Sequence, residues 1–193
     1  MITSLTELLD RFHACDDSRA WVKSLPTGTT IEQAWYQCKR GDWMIWIAMY
    51  IGVDRRLVVL SACGCARLAL PHVTAGETRS LAAIETTEAW CRGEATIEQV
   101  REAQRAAYAY ATNAADAAAY AAAAYAAASA AAASPYAANA AASAAASAAA
   151  SAYAYAAAAY AETLARCADI VRNHIPWTAV DAAIDASPEG GAA

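Results

Sequence analysis

"PYAANAAASAAASAAASAYAYAAAAY" spans Pro135–Tyr160 and holds no Leu, Ile, Val or Phe and no charge. Alanine has the best intrinsic helix propensity, so the stretch predicts helix. Pro135 is excluded from a straight helix interior but suits a first helical position, which makes Ser134-Pro135 a cap and opening turn. The helix is expected to run to about Asn173, where "NHIP" stops it. Asn139, Ser143, Ser147, Ser151 and Tyr155 recur every four residues, along one slowly drifting stripe. Small side chains between them let helix axes approach closely. The stripe is therefore either a tight helix–helix seam or a mildly polar exposed face. A solvated helix face normally carries charge, yet Asp116 is the only charge from Ala106 to Ala161, a span about two-thirds alanine. The tract is expected to be covered by neighbouring helices, by another subunit or by a partner. Ice binding would want regularly spaced threonines, which are absent.

Helix signals continue outward in both directions. Ser4 and Glu7 form a capping-box pattern ahead of Leu8, Leu9 and Phe12. Asp17 or Ser18 is the expected cap of a short helix with Trp21, Val22 and Leu25, and Pro26-Thr27-Gly28 reads as a turn. Thr29 or Thr30 opens "IEQAWYQCKRG", with Gly41 as the stop. Asp42 is expected to cap "WMIWIAMYIG", and Asp54 "RRLVVLSACGCARLAL", ended near Pro71. Gly93 closes "TRSLAAIETTEAWCRGE", and Thr96 begins "IEQVREAQRAAYAYA", with a possible break at Thr112-Asn113. "WTAVDAAIDA" is a short amphipathic helix, and "SPEGGAA" a frayed tail. "RRLVVL" is the one strand candidate, and its continuation suits a buried helix better. The fold class expected is all-α: a single-domain bundle over 1–193. Short helices bearing Trp and Arg (1–95) cover long, closely packed alanine-rich helices (96–176), and a short helix and tail (177–193) follow.

The 193 residues suit one domain. A net charge of −5 argues against a sequence-independent DNA or RNA binder, which needs a basic surface. The opening "MITSLTELLDRFHACDD" lacks the basic and apolar regions of a signal peptide, and "WMIWIAMYIGV" is too short to cross a bilayer. No membrane association is expected. Six cysteines in no paired framework read as reduced thiols of a cytoplasmic protein, in the host cytoplasm if the gene is a phage's.

Motifs for catalysis are missing: no HExxH, GxSxG, GxxxxGK[ST] or GxGxxG. Cys63-Gly64-Cys65 has no second pair at zinc-ribbon spacing, and His13, His72 and His174 are scattered. No catalytic residue, no metal site and no cofactor are expected. Glu85 and Glu88 read as a salt-bridged face with Arg79 and Arg92. What stands out is aromatic and basic. Six Trp and ten Tyr accompany one Phe, which adds polar handles and broad π-faces beyond what packing needs. Aromatic faces stack on bases, and guanidinium forks pair with phosphates. The candidate ligand-binding residues are Arg40, Trp43, Trp46, Tyr50, Arg55, Arg56 and Arg67. Tyr153, Tyr155 and Tyr160 are expected to close the site from a neighbouring helix or subunit. The competing reading places the tryptophans in the core and the arginines in solvent.

"DWMIWIAMYIGVDRRLVVLSACGCARLALPHV", followed by "RSLAAIETTEAWCRGEATIEQVREA", resembles the all-helical immunity-protein group found near bacterial polymorphic toxins and in phage genomes. The likeness covers about Ile31 to Pro176. It is specific in the "CAR" and "AWCRGE" pieces and compositional in the alanine tract. It implies a role in bacterial or phage conflict, by binding rather than turnover, and no catalytic residue carries over.

The function expected is non-enzymatic binding in phage–bacterium conflict: a homo-oligomer sequesters a small anionic nucleotide-type immune signal, as an anti-defence sponge. An immunity protein that blocks a protein toxin is the alternative, and a structural helical adaptor the third reading.

Overall fold

The computed structural model describes residues 2–108, 140–147 and 156–187. Among these it is an all-α helical bundle, with no strand. Seven helices precede the alanine tract: α1 (Leu5–Arg11), α2 (Asp16–Ser24), α3 (Ile31–Gln37), α4 (Gly41–Tyr50), α5 (Arg55–Arg67), α6 (Arg79–Arg92) and α7 (Ile97–Tyr108). A 3-10 turn at Leu70–His72 links α5 to α6. Residues 140–147 are helical, and α8 (Ala156–His174) and α9 (Trp177–Ala186) follow. The expected breaks at Thr112-Asn113 and Ser134-Pro135 lie outside the described residues. No described helix is long and apolar enough to cross a membrane.

The caps show which local signals act. Ser4 accepts from the Glu7 N–H at 3.2 Å, but the Glu7 carboxylate takes the Thr3 N–H instead of closing the box. Thr30 with Gln33, and Thr96 with Gln99, form complete reciprocal boxes. Asp54 caps α5 by accepting from the Arg56 N–H at 2.7 Å.

Three expectations fail. Cys15, rather than Asp17 or Ser18, is the N-cap of α2. Gly41 does not stop α3, which ends at Gln37; it opens α4. Asp42 is no cap but a buried residue of the first turn of α4, held by Arg40. The reason is tertiary. A Cβ on Gly41 would lie 2.6 Å from the Ala168 backbone nitrogen, so glycine is needed where α4 meets α8.

α5 runs between two cores. Val58 and Cys65 face one, with Met44, Ile45, Leu164 and Val171. Val59, Ala62, Cys63 and Ala66 face the other, with Ile84 and Val100. The alanine segment 140–147 joins both. Ala142 and Ala146 belong to the first core, Ala141 and Ala145 to the second, and all four are fully buried. Ser143 and Ser147 of the predicted stripe are half-buried, and Ser147 Oγ donates to the Ser143 carbonyl at 2.9 Å. The alanines beside the stripe, not its serines, make the seam. Here an uncharged segment folds because its own chain covers it on two sides.

Candidate functional site

Two pairs of helices enclose an open cavity of about 780 Å³, α1 and α2 on one side and α3 and α4 on the other. That size suits a small ligand. Aromatic rings line it: Phe12, Trp21, Trp35, Trp43, Trp46 and Tyr50. The Trp21 and Trp43 rings lie 6.1 Å apart, Phe12 and Tyr50 5.7 Å, and Trp46 and Tyr50 4.6 Å, all tilted. Helical spacing explains the α4 contribution, because residues 43, 46, 47 and 50 share one face.

The polar groups of the wall are few. Arg40, not itself a lining residue, lies over Trp43 of the wall, its guanidinium carbon 4.2 Å from the ring centroid. Its Nε and Nη2 donate to Asp42 at 2.9 and 2.7 Å. These bonds, more than any other influence, hold the Arg40 guanidinium above its ordinary range. Asp42 lines the cavity and is 5% exposed. Arg11 lines it too and forms no ion pair among the described residues. The Cys38 thiol of the wall is pushed up to about 11 by burial, so it is a neutral group.

His13 is the unusual wall residue. It sits at φ 52°, in the left-handed region. Its N–H bonds to the Asp10 carbonyl and that of Ala14 to the Leu9 carbonyl, which is a Schellman ending for α1. The same pair of bonds closes α4 at Gly52 and α6 at Gly93. Histidine thus occupies a position that the chain elsewhere gives to glycine.

Behind the wall, Arg172 of α8 fixes the end of α3. Its Nη1 donates to the carbonyls of Trp35 at 3.1 Å and Cys38 at 2.9 Å. Its Nη2 donates to Asp169 at 2.8 Å.

The sequence-predicted site divides. Trp43, Trp46 and Tyr50 line the cavity, and Arg40 lies over Trp43. Tyr160 is half-buried against the same core. Arg55, Arg56 and Arg67 are elsewhere. Arg67 donates to both oxygens of Glu88 on α6, at 2.8 and 2.7 Å. Arg55 lies 5.3 Å from the Trp90 ring centroid, and Arg56 is exposed beside Asp54. Tyr153 and Tyr155 lie outside the described residues. Sequence reading missed Arg11, Phe12, His13, Trp21 and Trp35. The Trp and Phe among them carried a usable signal, the excess of aromatics in helices too short to bury them alone. The left-handed His13 left none.

Among the described residues no three His, Cys, Asp or Glu side chains gather as a metal-holding group. No protein family, curated protein or solved structure matches this chain.

Proposed function

We propose that this protein binds and retains, without turnover, a small nucleotide-type ligand in the cavity between α1–α2 and α3–α4. The observation that carries this reading is a ring-lined cavity of about 780 Å³ with a guanidinium stacked on one of its indoles. Flat rings favour a stacked base, and base–aromatic stacking contributes about 1–3 kcal/mol per base. Arg11 and His13 at the wall supply the groups that would meet an anionic part. His13 at a glycine position supports function over stability there. The setting, sequestration of an immune signal in phage–bacterium conflict, rests on the sequence resemblance alone.

Native mass spectrometry of protein purified from cells with an active nucleotide-based defence tests this. A retained small molecule is expected. Calorimetry against cyclic dinucleotides and cyclic ADP-ribose isomers should then show stoichiometric binding with no product formed. Arg11→Ala should weaken it, whereas Arg67→Ala, whose side chain bonds Glu88 outside the cavity, should not. No binding across the panel, with tight capture of a protein toxin, would replace this reading by the immunity-factor one.

A further inference from the structure

Apart from the aromatic rings, six polar or charged side chains line the cavity: Arg11, His13, Cys15, Ser18, Cys38 and Asp42. Four of them are bonded within the protein. Ser18 Oγ donates to the Cys15 carbonyl at 2.7 Å and accepts from the Cys15 thiol at 3.5 Å. Cys38 Sγ accepts from the Arg40 N–H at 3.4 Å and donates to the Arg40 carbonyl at 3.7 Å. Asp42 is held by the Arg40 guanidinium. This end of the cavity is the one where Arg40 lies over Trp43, with Trp43 6.1 Å from Trp21. Cys15 is close enough to act on the Arg40 charge. One carboxylate matches one guanidinium here, so this end is uncharged on balance.

The other two are unanswered. Among the described residues the side chains of Arg11 and His13 make no hydrogen bond or ion pair. Glu7, one turn earlier on α1, feels the Arg11 charge, but its carboxylate is bonded to Thr3. The Arg11 guanidinium carbon lies 5.9 Å from the centroid of Phe12. The Phe12 ring is 5.7 Å from Tyr50, and Tyr50 4.6 Å from Trp46. Tyr50 closes α4 and Trp43 stands in its first turn, about 10 Å apart along the axis. The unbonded cation thus belongs to one ring group and the matched pair to another.

We infer that the cavity engages one anionic group and no more: Arg11, with His13, meets one phosphate beside Phe12, and the uncharged body of the ligand lies toward Trp21 and Trp43. The inference rests on the proposed cavity function. It adds the direction of the ligand and the number of phosphates that count. A second phosphate would find the Arg40 guanidinium taken and the Asp42 carboxylate on the wall. It stays in the solvent of the open cavity and adds no affinity.

The test uses the four ribonucleosides and their 5′-mono- and 5′-diphosphates as probes, with the full chain, by calorimetry. At least one monophosphate should bind about tenfold tighter than its nucleoside, and its diphosphate within about threefold of it. The advantage over the nucleoside should shrink between about 0.05 and 0.3 M salt, because a part-exposed ion pair is screened. Arg11→Gln should bring the monophosphate down to the nucleoside and leave the nucleoside unchanged. A diphosphate more than about threefold tighter than its monophosphate overturns the inference and leaves the cavity function standing. So does a monophosphate no tighter than its nucleoside, or an Arg11→Gln variant that weakens both equally. Binding of cyclic dinucleotides alone, with every mononucleotide silent, overturns it too. If no nucleoside, nucleotide or cyclic dinucleotide binds, both fall. The probe series needs only the unaltered protein, so it decides even if Arg11→Gln does not fold.

Discussion

The central guanidinium carbon of Arg40 lies 4.2 Å from the Trp43 ring centroid, while two of its nitrogens are bound to Asp42. One side chain thus neutralises a buried carboxylate and fixes the orientation of a cavity wall. Arg40→Met should leave Asp42 buried and unanswered. The Arg40 side chain is 34% exposed, so solvent offsets part of the penalty, and a loss of about 1–3 kcal/mol is expected. The double variant Arg40→Met/Asp42→Asn should lose less than the sum of the two single variants in urea denaturation. Additive losses would mean that the pair is not coupled.

His13 should be exchangeable for stability. A non-glycine residue in the left-handed region costs about 1 kcal/mol relative to glycine. His13→Gly should therefore raise the melting temperature, and it should also weaken retention of whatever the cavity holds. A variant that is more stable and binds equally well would leave the imidazole with no part in the site.

Ala146 and Ser147 adjoin in sequence and differ in setting. Ala146 is fully buried in the first core, while Ser147 is half-buried. Overpacking a core costs about 1–3 kcal/mol. Ala146→Leu should reach that range, and Ser147→Leu should fall well short of it, by thermal melts of both. Equal effects would contradict the seam described for residues 140–147.

The thiols give a pH dependence. Burial pushes Cys38 and Cys91 up to about 11 from an ordinary 9.0, and Cys63 and Cys65 well above it. An unfolded chain releases these protons near 9.0, and the folded chain keeps them to about 11. The folded state therefore binds more protons across that window, and stability falls as pH rises through it. The melting temperature should drop between about pH 9 and 11, by less in Cys38→Ala. At about pH 8 only Cys15, the exposed thiol, should react quickly with Ellman's reagent. A second fast thiol would contradict the burial.

Helix content was legible because alanine, paired caps and glycine stops act locally. Thr30 with Gln33, and Gly93 at the end of α6, behave as their spacing predicts. Gly41 misled because its reason lies more than a hundred residues away, at Ala168. The site was half legible for a related reason. Trp43, Trp46 and Tyr50 share a helix face, which sequence spacing reveals. Arg55, Arg56 and Arg67 follow closely in sequence, but the chain turns at Gly52, in the left-handed region, and Arg67 bonds Glu88 of α6. Nearness along the chain was not nearness in space. The contributions of Phe12 and Trp21 depend on how α1 and α2 dock, which no local pattern encodes.

The meeting of α8 with α4 and α5 has a consequence for synthesis. α4 reads "GDWMIWIAMY", and it packs against α8, described over Ala156–His174. At about 5–20 residues per second, a ribosome needs roughly 5–20 s to pass from the end of α5 to the end of α8. Through that interval the most apolar of the described helices stands without α8. Expression of a chain truncated before α8 should yield aggregated or chaperone-bound protein, and slow elongation should lengthen the exposure for the complete one.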